Sequence, residues 1–118
     1  MKKEAIRILL AILLTASACS IHQEMVHLPL AQPELSALED GTYPGSFRKY
    51  RWHCRVEVDI SGHDYDTIRV IDAANGGKRF YEQLVSSVLE RQTIELDAFS
   101  GATISSRTFL KAVERAVE

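Results

Sequence analysis

The sequence predicts a small α+β domain in which two helices cover one face of a small antiparallel sheet. Three patterns lead to this prediction: apolar and polar residues alternate from Tyr50 to Ile60, and two later segments repeat their apolar residues with the period of a helix. The expected order is three strands, a helix, a short extended stretch and a last helix, which is typical of a two-layer fold. A chain of 118 residues is enough for one domain.

The first 18 residues differ in composition from the rest and predict a secretory signal peptide. Basic residues at Lys2, Lys3 and Arg7 precede an uncharged apolar run over 8–14 and small residues over 15–18. The apolar run is shorter than the roughly 20 residues that a membrane-spanning helix needs. A buried amphipathic helix is the alternative, but the run has no polar face. We therefore expect an exported protein in the periplasm or cell envelope.

Two cleavage patterns overlap at the end of this segment. Ala16-Ser17-Ala18 fits the small-x-small pattern of ordinary signal cleavage. Together with Cys19 the same residues resemble a bacterial lipobox, although Ala16 stands where leucine is usual. We favour the lipoprotein, in which an acylated Cys19 would hold the protein at a membrane surface, and ordinary cleavage remains the alternative.

The remaining chain divides into a tether over 19–37 and a folded domain over 38–118. Pro29 and Pro33 argue against a long helix between Ser20 and Glu39. Without residues 1–18 the chain holds 11 basic and 15 acidic residues, a formal charge of −4. That charge argues against a nucleic-acid partner.

The two cysteines, Cys19 and Cys54, do not have the spacing of a metal site. If Cys19 is acylated, Cys54 is left alone, and burial in the sheet is the expected state for it. A reactive Cys54 thiol and a Cys19–Cys54 disulfide are the alternatives, the disulfide being the last choice.

Three strands are expected to open the domain. A dense turn signal over 40–45 flanks a short extended piece. From 50 to 60 one face is apolar and the other polar, and a loop over 61–64 leads to a strand over 65–71, so these two strands should form a hairpin. The apolar face is formed by Trp52, Cys54, Val56, Val58 and Ile60.

Two helices are expected to follow. Residues 73–77 break the strand, and the apolar period changes to that of an amphipathic helix from Lys78 to Arg91. Residues 92–96 should be extended, and 97–103 should form a loop. Ser105 or Ser106 is expected to cap the last helix, which runs to Val117.

The loop from Asp97 to Thr103 is the segment most suited to bind a ligand. Ser100, Gly101 and Ala102 are small enough to let another molecule approach the backbone. The loop runs into a helix N-terminus, where unpaired N–H groups and the helix dipole favour phosphate. These residues permit a phosphate-bearing ligand but do not require one, and a plain capping loop is the alternative.

The pattern Asp-x-x-Ser-Gly-Ala-Thr over 97–103 resembles the flavinylation motif of FMN-binding domain proteins. These include the periplasmic FMN subunits of the sodium-pumping NADH:quinone reductase and of the Rnf complex. The segment 104–117 resembles the family's continuation, and Leu38–Gly45 resembles the opening of its domain. The resemblance implies that a flavin transferase joins FMN to Thr103 through a phosphoester bond.

The same resemblance assigns the other site residues. Ser100, Gly101 and Ala102 would shape the phosphate seat, and Asp97 would serve the transferase. From their residue types and not from the resemblance, further candidates for cofactor contact are Ser105 as a hydroxyl donor, Gly76 and Gly77 for close approach to the ring, and Tyr50 for stacking. The chain departs from the family between sheet and first helix, where 72–77 keeps the glycines but lacks the acidic-Thr-Pro part.

The expected function is that of an electron carrier with covalent FMN, which exchanges electrons with redox partner proteins of the cell envelope. It is more a carrier than an enzyme with a substrate of its own, and no metal is expected. Two alternatives remain: a flavin-free envelope lipoprotein that acts as a binding module, and a flavin-dependent reductase of a small extracytoplasmic acceptor. No nucleophile–base–acid constellation supports hydrolysis.

Overall fold

The structure is a computed structural model that describes residues 2–96 and 102–118, with the backbone alone for Lys2 and residues 9–19. Its elements are α1 (Lys2–Val26), a short 3-10 turn (Leu35–Ala37), β1 (Gly41–Lys49), β2 (Trp52–Ser61), β3 (Asp64–Ala73), α2 (Lys78–Arg91) and α3 (Thr103–Val117). The bounds of α2 are those that the apolar period predicts.

The three strands form one antiparallel sheet in the order β1-β2-β3. Both hairpins turn within two residues, which requires left-handed backbone conformations. Tyr50 has a φ of 55° in the first turn, and Gly62 and His63 have φ values of 59° and 65° in the second. The sheet is therefore a tight meander, and the predicted β2–β3 hairpin is confirmed.

One face of the sheet is apolar and the other carries charges, as the alternation in β2 predicts. All five residues of the predicted apolar face are buried, and none is more than 9% exposed. On the opposite face the Arg69 guanidinium lies between the carboxylates of Glu57 and Asp59. This face is in solvent, and the helices have only the apolar face to cover.

The helices α2 and α3 both pack on the apolar face, so the predicted α+β fold is confirmed. The helix α3 lies across β1 and β2, while α2 lies against β3. The apolar side of α3 is buried, with Phe109 and Val113 completely inaccessible. Gly45 of β1 lies so close to α3 that a Cβ there would be 2.3 Å from the Ala112 carbonyl oxygen.

The segment 20–39 begins as the end of helix α1 and packs against the domain. Helix α1 continues to Val26 and ends three residues before Pro29, which cannot continue a helix. Met25 is completely buried and Leu28 is 5% exposed, because both side chains join the core. Sequence period alone does not reveal this packing, since the partners of these side chains lie far along the chain.

Hydrogen bonds fix the following residues against the domain. Arg107 donates to the Leu28 carbonyl at 2.8 Å, and Lys111 donates to the Pro29 carbonyl at 3.2 Å. The Gln32 side chain accepts from the Thr93 hydroxyl at 3.0 Å. The segment that precedes β1 is thus docked against α3 and against the residues that follow α2.

The extended stretch expected over 92–96 does not join the sheet. Gln92 ends α2 in a left-handed conformation, and its side-chain amide bonds both the N–H and the carbonyl of Tyr65, at 2.7 and 2.9 Å. This side chain occupies backbone groups that a further strand beside β3 would need. Residues 92–96 therefore do not add a strand to the sheet.

Cys54 is a free thiol and only 2% exposed, so its predicted burial is confirmed. Burial raises the pKa of the Cys54 thiol to about 12, and the negative charge of Asp72 adds to the effect. Within residues 2–96 and 102–118, no helix is both long and apolar enough to cross a membrane. Signal cleavage and the division of the chain at 18 and 37 stay predictions.

Candidate functional site

A cleft of about 640 Å³ opens at the N-terminal end of α3. Four parts of the chain meet there: the end of α1, the β1–β2 turn, the β3–α2 loop and the first turn of α3. The described residues that line it are His22, Val26, Arg51, Trp52, Asn75, Ala102, Thr103, Ile104 and Ser105. The volume falls within the range of about 300–1,000 Å³ that is typical of cofactor sites.

The start of α3 supplies the hydrogen-bond donors of this cleft. The first bond of the helical ladder runs from the Ser106 N–H to the Ala102 carbonyl at 3.0 Å. The N–H groups of Thr103, Ile104 and Ser105 therefore precede the ladder, at the positive end of the helix dipole. An anionic group of a ligand is stabilised at such a place.

The predicted cap of α3 is wrong. The helix begins at Thr103, with Ala102 as its N-cap and without a side-chain cap bond. Ser106 lies one turn inside the helix, where its hydroxyl donates back to the Ala102 carbonyl at 2.8 Å. Because the cap lies earlier, Thr103 and Ser105 are helical residues whose hydroxyls are not used for capping.

Thr103 is the first residue of α3 and lines the cleft. Its side chain is half-buried, and its hydroxyl makes no hydrogen bond within the described part of the chain. The hydroxyl is thus placed beside the N–H donors of its own helix turn.

Arg51 and Trp52 form the opposite wall. The Arg51 guanidinium lies 4.7 Å from the centre of the Trp52 ring, in a cation–π contact. Trp52 is 9% exposed, so most of its ring belongs to the core while the residue still lines the cleft. The described lining residues include a permanent cation and no carboxylate, which favours an anionic ligand.

The β3–α2 loop closes a third side through Asn75. The Tyr81 hydroxyl donates to the Asn75 carbonyl and holds the loop in place. Gly76 has a φ of 96°, and a Cβ there would lie 2.8 Å from the Phe80 ring. Glycine is therefore required at 76 by the backbone and by packing against α2.

The structure brings together some of the predicted site residues. Ala102, Thr103 and Ser105 line the cleft. Tyr50 lies in an adjoining groove of about 350 Å³. Gly76 and Gly77 are not among the described lining residues.

The other predicted site residues lie outside the described part. Asp97, Ser100 and Gly101 are outside the described residues, as is the side chain of Cys19.

Sequence reasoning missed His22, Val26 and Asn75. The first two lie in the segment taken for a tether, and no motif marks them. Asn75 lies in the predicted break between β3 and α2, where an asparagine is expected simply because asparagine favours turns. Only the docking of α1 and of the β3–α2 loop brings these side chains to the cleft.

The model of the FMN-binding domain family matches residues 37–118 of this chain, which is most of its length. The chain belongs to the FMN-binding domain family. The match begins one residue before the predicted start of the domain and covers the whole sheet, α2 and α3. A search of curated proteins finds no match.

The donor set of this FMN-binding domain fits its cofactor. FMN is a flat ring system that ends in a phosphate, and the cleft offers the N–H groups at the start of α3 for the anion. Val26 and Trp52 add apolar surface for the ring. When bound, FMN supplies the capacity to take up and release electrons, and the residues of the chain hold and orient it.

Proposed function

We propose that this protein carries FMN as a phosphoester on Thr103 and acts as an electron carrier outside the cytoplasm. The observation that carries the proposal is the position of Thr103: a hydroxyl of the flavinylation motif stands at the first residue of α3, inside the cleft of an FMN-binding domain. A flavin transferase that reads Asp97 to Thr103 would attach the cofactor.

A covalent bond suits this site on physical grounds. The cleft is open to solvent on the side of His22 and Arg51, both of which are exposed. A cofactor held only by a few hydrogen bonds at an open site exchanges with the surroundings, and outside the cell it is lost by dilution. A phosphoester to Thr103 removes that loss while the N–H groups of α3 still stabilise the phosphate charge.

The test is a pair of substitutions in the same helix turn. The full chain is co-expressed with a flavin transferase in an exporting bacterial host, and Thr103→Ala is compared with Ser105→Ala. We expect the Ser105→Ala protein to keep a flavin that survives denaturation, with an added FMN mass on the peptide holding Thr103. The Thr103→Ala protein should lose both signals.

Two results contradict the proposal. Covalent flavin retained in Thr103→Ala places the bond elsewhere. Unmodified, colourless wild-type protein in the presence of an active transferase favours a flavin-free binding module. If the flavin is attached, rapid reoxidation by a protein partner without turnover of a small acceptor supports the carrier, whereas steady turnover supports a reductase.

We further propose that the chain is an exported lipoprotein acylated at Cys19. The small residues before Cys19 and the basic and apolar segment ahead of them support this proposal. Mass spectrometry of the mature protein should show an N-terminal Cys19 with lipid attached, and Cys19→Ser should release the protein from the membrane fraction. An unmodified N-terminus at Cys19 would instead support ordinary signal cleavage.

A further inference from the structure

The end of α1 forms one side of the FMN cleft. His22 and Val26 are one helical turn apart, and both line the cavity that also holds Thr103. Between them, Met25 is completely buried in the core. This part of the helix is therefore anchored to the domain through Met25.

A polar contact joins the same helix turn to the β1–β2 turn. The Glu24 carboxylate accepts a hydrogen bond from the Tyr50 hydroxyl at 2.6 Å and forms an ion pair with Lys49. Lys49 and Tyr50 are the two residues before Arg51, which lines the cleft. Glu24 thus links the α1 wall to the turn that presents the guanidinium.

The end of α1 and the β1–β2 turn share three side chains around the cleft. His22, Arg51 and Trp52 line both the main cleft and the smaller groove beside it. They offer an imidazole, a guanidinium and an aromatic side chain, which are suited to a flat ring that carries carbonyl oxygens. The N–H groups at the start of α3 would serve the phosphate, which leaves these three side chains for the ring.

We propose that His22–Val26 is a fixed wall of the FMN site, that His22 and Arg51 face the flavin ring, and that Glu24 is a positioning residue that holds this wall to the β1–β2 turn. The inference rests on the proposed function. It assigns to the flavin site a segment that precedes the family match, which begins at residue 37.

The sole tryptophan of the chain, Trp52, gives a test that does not need flavin. Glu24→Gln is made in the full chain that also carries Thr103→Ala, and quenching of Trp52 fluorescence by acrylamide is measured. Loosening the wall should expose more of the indole and raise the quenching constant above that of the parent chain. Glu82→Gln is the matched control, because Glu82 is also an exposed partner in an ion pair, with Lys78, and lies outside the cleft.

The flavin-loaded protein gives the second measurement. In Glu24→Gln and in His22→Ala we expect the visible circular dichroism of the flavin to weaken and its fluorescence anisotropy to fall, while Glu82→Gln leaves both unchanged. A charge exchange tests the ion pair itself: Lys49→Glu should behave like Glu24→Gln, and Lys49→Glu combined with Glu24→Lys should restore the signals in part.

The outcomes separate the two proposals. Unchanged Trp52 quenching, or raised quenching with unchanged flavin signals, overturns the assignment of the wall. A protein without covalent flavin refutes the proposed function alone, because the quenching experiment still reports whether α1 covers Trp52. Far-ultraviolet circular dichroism of each variant confirms that the fold is retained.

Discussion

Gly45 lies in β1 directly beneath α3, and replacing it by alanine perturbs the seat of the helix that begins with Thr103. A Cβ at this position would lie 2.3 Å from the Ala112 carbonyl oxygen and 2.6 Å from the Ala116 nitrogen. Both are backbone atoms, so no side-chain rotation relieves the contact. Overpacking of this kind costs about 1–3 kcal/mol, and the backbone contacts place Gly45→Ala near about 3 kcal/mol.

The loss is large for a domain of this size. With roughly 4–8 °C per kcal/mol, the melting temperature should fall by about 12–24 °C. The assay is urea and thermal unfolding followed by far-ultraviolet circular dichroism. The matched control is Gly77→Ala, because Gly77 has a φ of −89° and nothing within 4 Å of the added Cβ. We expect its free energy of unfolding to change by no more than about 0.5 kcal/mol.

A second substitution tests the reason for the effect. Ala116→Gly removes the Ala116 Cβ, which would lie 2.5 Å from the new side chain, but leaves both backbone contacts. The double variant should therefore recover only part of the loss attributed to the clash. If Gly45→Ala and Gly77→Ala unfold at the same denaturant concentration, the close approach of α3 to β1 is refuted.

Two further predictions concern titratable groups in the sheet. Hydrogen bonds from Arg69 and Thr42 lower the pKa of Asp59 to about 2, below its ordinary 3.8, so its contribution to stability is present above pH 3.8 and is lost as the pH falls through 2. NMR titration of Arg69→Gln should show the Asp59 pKa moved up towards 3.8, and an unmoved value would refute the role of Arg69. Because burial raises the pKa of Cys54 to about 12, iodoacetamide at pH 8 should leave the native thiol unmodified and alkylate it in urea; rapid alkylation of the native protein would contradict its burial.

The sheet and its helices could be predicted because their signals are local. In β2 the alternation from Trp52 to Ile60 assigns each side chain to a face without knowledge of the partners. The apolar period of α2 marks the side that meets β3, and Gly77 is the last residue before the helix begins. Such patterns predict which side of a strand or helix is buried, and the apolar sides of β2 and α2 are buried in the structure.

The remaining features depend on contacts between distant residues. The docking of 20–35 rests on Met25 in the core and on Arg107 reaching the Leu28 carbonyl, which are not visible in any short window. Residues 92–96 also depend on a distant contact: the Gln92 side-chain amide bonds to the Tyr65 backbone, and no strand forms there. In the site, the motif marks Thr103, but the wall formed by His22 and Val26 carries no motif and follows only from the docking of α1.

The seat of α3 on β1 and on the docked segment has a consequence for biosynthesis. A ribosome produces the chain from its amino end, so β1 and the residues ahead of it exist well before their partner helix is made. Until α3 arrives, the apolar face of β1 and β2 lacks the helix that covers it, and contacts such as Arg107 to Leu28, 79 residues apart, cannot form. Closure of the core is therefore the last step, and its high sequence separation makes it slow.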